Sequence, residues 1–191
     1  MIARAAAPVA LLVLLACARE VATATPPPAS SSKPKPAAPA AAPTPDTRAA
    51  MRQRLLTGTA ADFHVVLPKG RNVWGVVMEM GYPKEATVSV IALADGHASI
   101  SLSTAPEVIS GADRERVRKA ALHVTDAAEE AAPHLARATS FPAPKLDEVT
   151  FYVLTRNGVV TESATQEELA GGAHPLSPLF MAAQDVITVS R

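Results

Sequence analysis

The chain has 191 residues, of which 17 are Pro, one is Cys and only 4% are aromatic. Eighteen basic side chains balance 18 acidic ones, so the formal charge is zero, which excludes nucleic-acid binding driven by bulk charge. A lone Cys excludes an intramolecular disulfide framework and a cysteine-cluster metal site.

Residues 1–16 read as a short basic start at Arg4, an apolar run from Ala5 to Leu15, and a small residue, Ala16, before Cys17. About a dozen apolar residues are too few for a membrane-spanning helix, which needs about 20. The pattern suits a secretory signal peptide. Within it, Leu14-Leu15-Ala16-Cys17 resembles the lipobox of bacterial lipoproteins. The resemblance implies cleavage before Cys17, alkylation of its thiol with diacylglycerol, and acylation of the new amino group. Two or three acyl chains anchor stably where one does not. It further implies a cell-envelope location, and Ala18 in place of Asp favours the outer membrane of a Gram-negative cell. The plain alternatives are an ordinary signal peptide with a chance Cys, or an uncleaved anchor.

Residues 18–46 hold eight of the 17 prolines and almost no large apolar side chain. Pro removes backbone donors and nothing here can be buried, so the stretch reads as an extended, disordered tether. The expected organisation is a signal at 1–16, a lipidated Cys plus tether over 17–46, and one domain over 47–191.

Asp46 or Thr47 caps a helix over Arg48–Thr57, with Met51 and Leu55 on one face and Gly58 at the stop. Three strands follow as a meander. Val73–Met80 comes first, then Thr87–Ala94, then a strand in which Ala98, Ile100 and Leu102 alternate with Ser99, Ser101 and Ser103. Asp95-Gly96 turns the second into the third. A long helix starts near Ala112, with Ser110 or Asp113 as its cap. Its apolar stripe is Val117, Ala120, Ala121, Val124, Ala128, Ala131 and Leu135. That stripe is mostly Ala, so the helix lies close against the sheet, and Pro133 kinks or ends it. The strands Glu148–Thr155 and Val159–Ser163 form a hairpin through Asn157-Gly158. Thr165-Gln166-Glu167-Glu168 is a capping-box pattern opening a short helix. Ser177 then caps a terminal helix with Pro178 at its first position.

The fold class is therefore α+β, with a five-stranded, largely antiparallel sheet and helices on one or both faces. Profilin-like and roadblock-like folds share that composition of elements, although the order differs from roadblock proteins in detail. The analogy licenses no function.

Chemistry-bearing residues are dispersed. His123, Asp126, Glu130 and His134 share a helical stripe, but the two His lie about 16 Å apart by the helical rise and cannot hold one ion. A solvated helix face with i,i+4 pairs explains them. No Gly-x-Ser-x-Gly elbow is present, and Ser99, Ser101 and Ser103 read as the polar face of a strand. The segment Thr104–Gly111 leads to a helix N-terminus, so Thr104, Ser110 and Gly111 form either an anion-binding loop or a plain connection. Trp74 and Tyr82 read as core or as interface anchors. Leu176 and Phe180 either dock on the body or face a partner.

The sequence thus points to an envelope lipoprotein whose α+β domain binds rather than catalyses. No cofactor and no metal are implied. The partners implied are the membrane, through the lipid, and an envelope protein, not nucleic acid. An envelope hydrolase with a dispersed site is one alternative. A cytoplasmic roadblock-like regulator of a small GTPase, with the signal unused, is another.

Overall fold

The computed structural model describes residues 45–108 and 114–190. The signal, Cys17, nearly all of the tether, and Ser110 and Gly111 lie outside the described residues.

The described elements run α1 (Pro45–Thr57), β1 (Val73–Tyr82), β2 (Ala86–Leu93), β3 (Ala98–Leu102), β4 (Ala105–Val108), α2 (Arg114–Ala131), β5 (Ala136–Arg137), β6 (Glu148–Thr155), β7 (Gly158–Thr165), α3 (Gln166–Ala170) and α4 (Ser177–Val189). The strands form one antiparallel sheet in the order β4-β3-β2-β1-β6-β7-β5. The α+β class and the antiparallel sheet agree with the sequence reading. The count of five strands is corrected to six plus a two-residue edge strand, β5.

The correction has a local cause at each end. Ala105–Val108, expected to be part of a connection, folds back on β3 with Leu102 opposite Ala105 and Ile100 opposite Val108. It carries Pro106, which an edge strand tolerates because one side of its backbone needs no ladder partner. Ala136 and Arg137 pair with Thr161 and Val160 after the turn at Pro133. That Pro ends α2 at Ala131, and a single 3₁₀ turn follows over Ala132–His134.

Two more expectations shift. Helix α1 begins at Pro45, a first-turn residue that needs no N–H partner, and so takes in Asp46 and Thr47. Ser177 does not cap α4: its hydroxyl donates to the Leu169 carbonyl at 2.7 Å, tying α4 to α3. The capping box at Thr165 and Glu168 forms, with Glu168 N–H donating to Thr165 Oγ1 at 3.2 Å and Thr165 N–H donating to Glu168 Oε2 at 2.9 Å.

The sheet has two unlike faces. On one, α2 and α4 cover Val76, Met78, Met80, Val90, Ala92, Val149, Phe151 and Val153. The Ala residues of α2 (Ala120, Ala121, Ala128) and of α4 (Ala182, Ala183) let the two helices and the sheet approach closely. On the other face, Leu55 and Leu56 of α1 join Val65, Trp74, Val77, Tyr152 and Leu154 in a smaller cluster. Gly81 marks a close approach: a Cβ there would meet the Lys145 carbonyl oxygen at 1.9 Å. That approach lets Leu146 bridge to the end of β1 and brings the Phe141–Leu146 segment beside α1.

Candidate functional site

Strand alternation dictates what the α1 face offers. From Gly75 onward, beyond an irregularity that turns Val73 toward α2 and Trp74 toward α1, the odd-numbered residues of β1 point toward α1, and the register carries that side across the sheet in rows: Gly75 with Leu93, Val77 with Ile91 and Ser99, Glu79 with Ser89 and Ser101, Gly81 with Thr87. Ser103 joins the last row, where its backbone N–H donates to the Thr87 carbonyl and its Oγ accepts from the Thr87 N–H at 2.9 Å. Helix α1 crosses these rows with Leu55, Arg52 and Arg48 at helical spacing on one side. It covers β1 but leaves β2 and β3 open beneath it.

The result is a groove of about 580 Å³, within the size range of small-ligand sites. Its apolar end is formed by Phe63, Leu55, Val77, Ile91 and Leu93, and its polar end by Thr87, Ser89, Ser101, Ser103, Arg48 and Glu79. Met51 stands at the lip with 47% of its surface exposed. The sequence pairs Met51 with Leu55 as a buried stripe. In the fold the buried neighbours are Leu55 and Leu56, because the groove takes the place of a wall that Met51 would otherwise meet.

Arg52 and Glu79 fix the groove's shape. Glu79 is only 1% exposed in the central strand, and burying an unpaired carboxylate there would be prohibitive. Arg52 answers it with both faces of the fork: Nε donates to Oε1 at 2.6 Å and Nη2 to Oε2 at 2.7 Å. Ser89 Oγ donates to Oε1 at 3.4 Å. Arg52 also donates from Nη1 to the Phe141 carbonyl at 3.1 Å and from Nη2 to the Pro142 carbonyl at 3.3 Å. Its guanidinium lies 5.6 Å from the Tyr152 ring centroid, and the Tyr152 hydroxyl donates to the Pro142 carbonyl at 2.6 Å. The hydrogen bond to Glu79 raises the Arg52 pKa against the opposing effect of burial. Burial, reinforced by the Glu79 charge, pushes the Tyr152 phenol up. One side chain thereby ties α1, β1 and the Phe141–Pro142 segment together. With both of its oxygens held by Arg52, Glu79 serves as a fixed wall.

Several residues singled out from sequence lie elsewhere. Trp74, Leu176 and Phe180 are buried, so the interface reading of these three is corrected: each supplies large apolar volume that the Ala-rich elements around it lack. Trp74 stacks on Phe63 with ring centroids 5.5 Å apart, directly behind the groove's apolar end. Tyr82 is 39% exposed at the end of β1. Thr104 is exposed in the turn between β3 and β4. His123, Asp126 and Glu130 of α2 and His134 of the 3₁₀ turn that follows are exposed. Asp126 pairs with Arg71, while Glu130 and His134 line a cleft of about 130 Å³ with Glu162. Among the described residues, no group of three His, Cys, Asp or Glu side chains is placed to hold a metal ion.

The acid of α2 that matters structurally is Glu129, whose carboxylate accepts from the backbone N–H of Asn72 and of Val73, each at 2.9 Å. It anchors the start of β1 to α2. Nothing in the sequence separates Glu129 from Asp126 or Glu130. Glu79 leaves a signal, since a single carboxylate inside VWGVVMEMGY, on the central strand, demands a buried partner, but nothing in the sequence names Arg52 as that partner. Among the described residues no helix is long and apolar enough to cross a membrane. No family model, curated protein or solved structure matches the chain.

Proposed function

We propose that the chain is a lipid-anchored protein of the bacterial cell envelope whose α+β domain is a ligand-binding module. The observation that carries the binding reading is the groove between α1 and the open half of the sheet. It is concave, mostly apolar, and lined by a few placed polar groups around a fixed ion pair. The anchor reading is carried by Leu14-Leu15-Ala16-Cys17, and the Pro-rich residues 18–46 give the domain reach from the membrane.

Each part has its own test. Cys17→Ala abolishes incorporation of labelled fatty acid and releases the protein from the membrane fraction; unchanged membrane association refutes the anchor. For the groove, protein purified from its native membrane is denatured and its released small molecules are compared with those of Ser101→Phe, which fills the cavity. A compound present with the wild type and absent from the variant supports binding. The same profile from both refutes it.

A further inference from the structure

Helix α1 walls one side of the groove, and its two halves are held by different forces. Its last turn carries Leu55 and Leu56, both buried among Val65, Trp74, Val77, Tyr152 and Leu154. Nearer its start, Ala49, Ala50, Met51 and Gln53 are exposed. That half is tied down by polar contacts. Arg52 bonds to Glu79 and to the Phe141 and Pro142 carbonyls, and Arg48 donates from Nη2 to the Ser103 carbonyl at 3.4 Å. Helices α2 and α4, by contrast, bury apolar side chains over more than one turn, from Ala120 to Ala128 and from Leu179 to Val186.

The two kinds of hold respond differently to water. Withdrawing Leu55 and Leu56 exposes apolar surface and breaks up the cluster they share with Trp74. Lifting the turns before them returns Arg52 and Glu79 to water, and the recovered hydration offsets part of the lost attraction. A helix of 13 residues is marginal on its own, so the lifted turns also lose their shape. This half of α1 therefore opens at a lower free energy than the whole fold, whose α2–α4 face is left intact.

We infer that residues 48–53 form a strap over β1, latched by Arg52 on Glu79 and anchored at Leu55 and Leu56. Arg48, Met51 and Arg52 line the groove, so opening the strap widens it. The strap goes beyond the binding reading and does not depend on what the groove holds.

Two neighbouring valines of β1 provide the test. Val76 and Val77 are each 1% exposed, but Val76 packs with α2 and α4 whereas Val77 packs with Leu55 and Leu56. Cys17 is the one Cys, so Val76→Cys or Val77→Cys in the full chain carrying Cys17→Ser presents a single thiol. A small thiol reagent labels Val77→Cys about tenfold faster or more than Val76→Cys, and with a much shallower dependence on urea, because local opening exposes little surface. Adding Arg52→Lys, which keeps the charge and loses the fork, speeds labelling of Val77→Cys by about fivefold. Adding Phe151→Leu, on the other face, speeds Val76→Cys and leaves Val77→Cys unchanged. Amide hydrogen exchange at Met51–Gln53 shows the same shallow urea dependence in the chain with both valines intact.

Equal labelling rates with equal urea slopes overturn the strap, since only global unfolding would then reach Val77. Fast labelling of Val77→Cys that Arg52→Lys does not change overturns the latch, because the reagent would be entering through the standing groove.

Discussion

The two faces of the central sheet are made from the same strands, residue by residue in alternation, yet they are built for different ends. Toward α2 and α4 the central rows are closed: Met78, Val90 and Phe151 are buried in a cluster with the Ala-rich helices, and only flanking residues such as Val88 and Ile100 are partly exposed. Toward α1 the β1–β6 half is closed by Trp74, Tyr152 and Leu56, but the β2–β3 half is left as the groove. The difference lies in what covers the strands. Two helices, of 18 and 13 residues, cover the first face, whereas the second has a single 13-residue helix that must also satisfy Glu79. Stability is concentrated on one side, which leaves the other free to carry a concave, partly polar surface.

The strongest way to break this comparison is by truncation on each face. Phe151→Ala removes a fully buried ring between the sheet and its helices and costs about 3–5 kcal/mol in denaturant unfolding. Ile91→Ala, at the solvent-reached groove, costs about 1 kcal/mol or less, because little is removed from a closed interior. Equal losses at the two sites would mean that the faces are equally packed. Next in size is Arg52→Ala, which strands the buried Glu79 and costs about 3 kcal/mol. That value is the low end of the range, since Arg52 is 28% exposed and water reaches the vacated site. Replacing both residues with Leu recovers most of the loss, and a double-mutant cycle measures the coupling.

The smallest effect sharpens the picture by pH. Folding raises the Tyr152 pKa through burial and the neighbouring Glu79 charge, so the native state holds that proton more tightly than the unfolded chain. The contribution is complete below the unfolded phenol value, about 10, and is lost as pH rises through the higher folded value. Tyr152→Phe removes that alkaline loss and costs about 1 kcal/mol at neutral pH for the bond to the Pro142 carbonyl. Thermal melts from about pH 8 to about pH 11, which bracket the ordinary phenol titration, check both statements.

Much of this architecture is legible in the chain, because periodicity and turn chemistry are local. The strand over Glu148–Thr155 has the bounds expected of it, and the Ser99–Ser101–Ser103 alternation correctly separates one side of β3 from the other. What local pattern does not carry is the identity of the neighbour. The serine side reads as a solvated face, and only the placement of α1 makes it the wall of a groove. Arg52 and Glu79 are 27 residues apart, so neither announces the other. Ser177 looks like a helix cap, but the nearby Leu169 carbonyl is the better acceptor for its hydroxyl once α3 packs against α4. Chain ends and edges were the other loss: β4 and β5 are short and pair on one side only, which leaves little imprint on sequence.

The central claim, that one face stabilises the fold and the other binds, is tested most directly by methyl chemical-shift mapping with the small molecules released from the denatured native protein. The account predicts shifts at Leu55, Ile91 and Leu93, with Val124, Val153 and Val186 unmoved. Shifts concentrated on Val124, Val153 and Val186, or spread evenly over both sets, would contradict it.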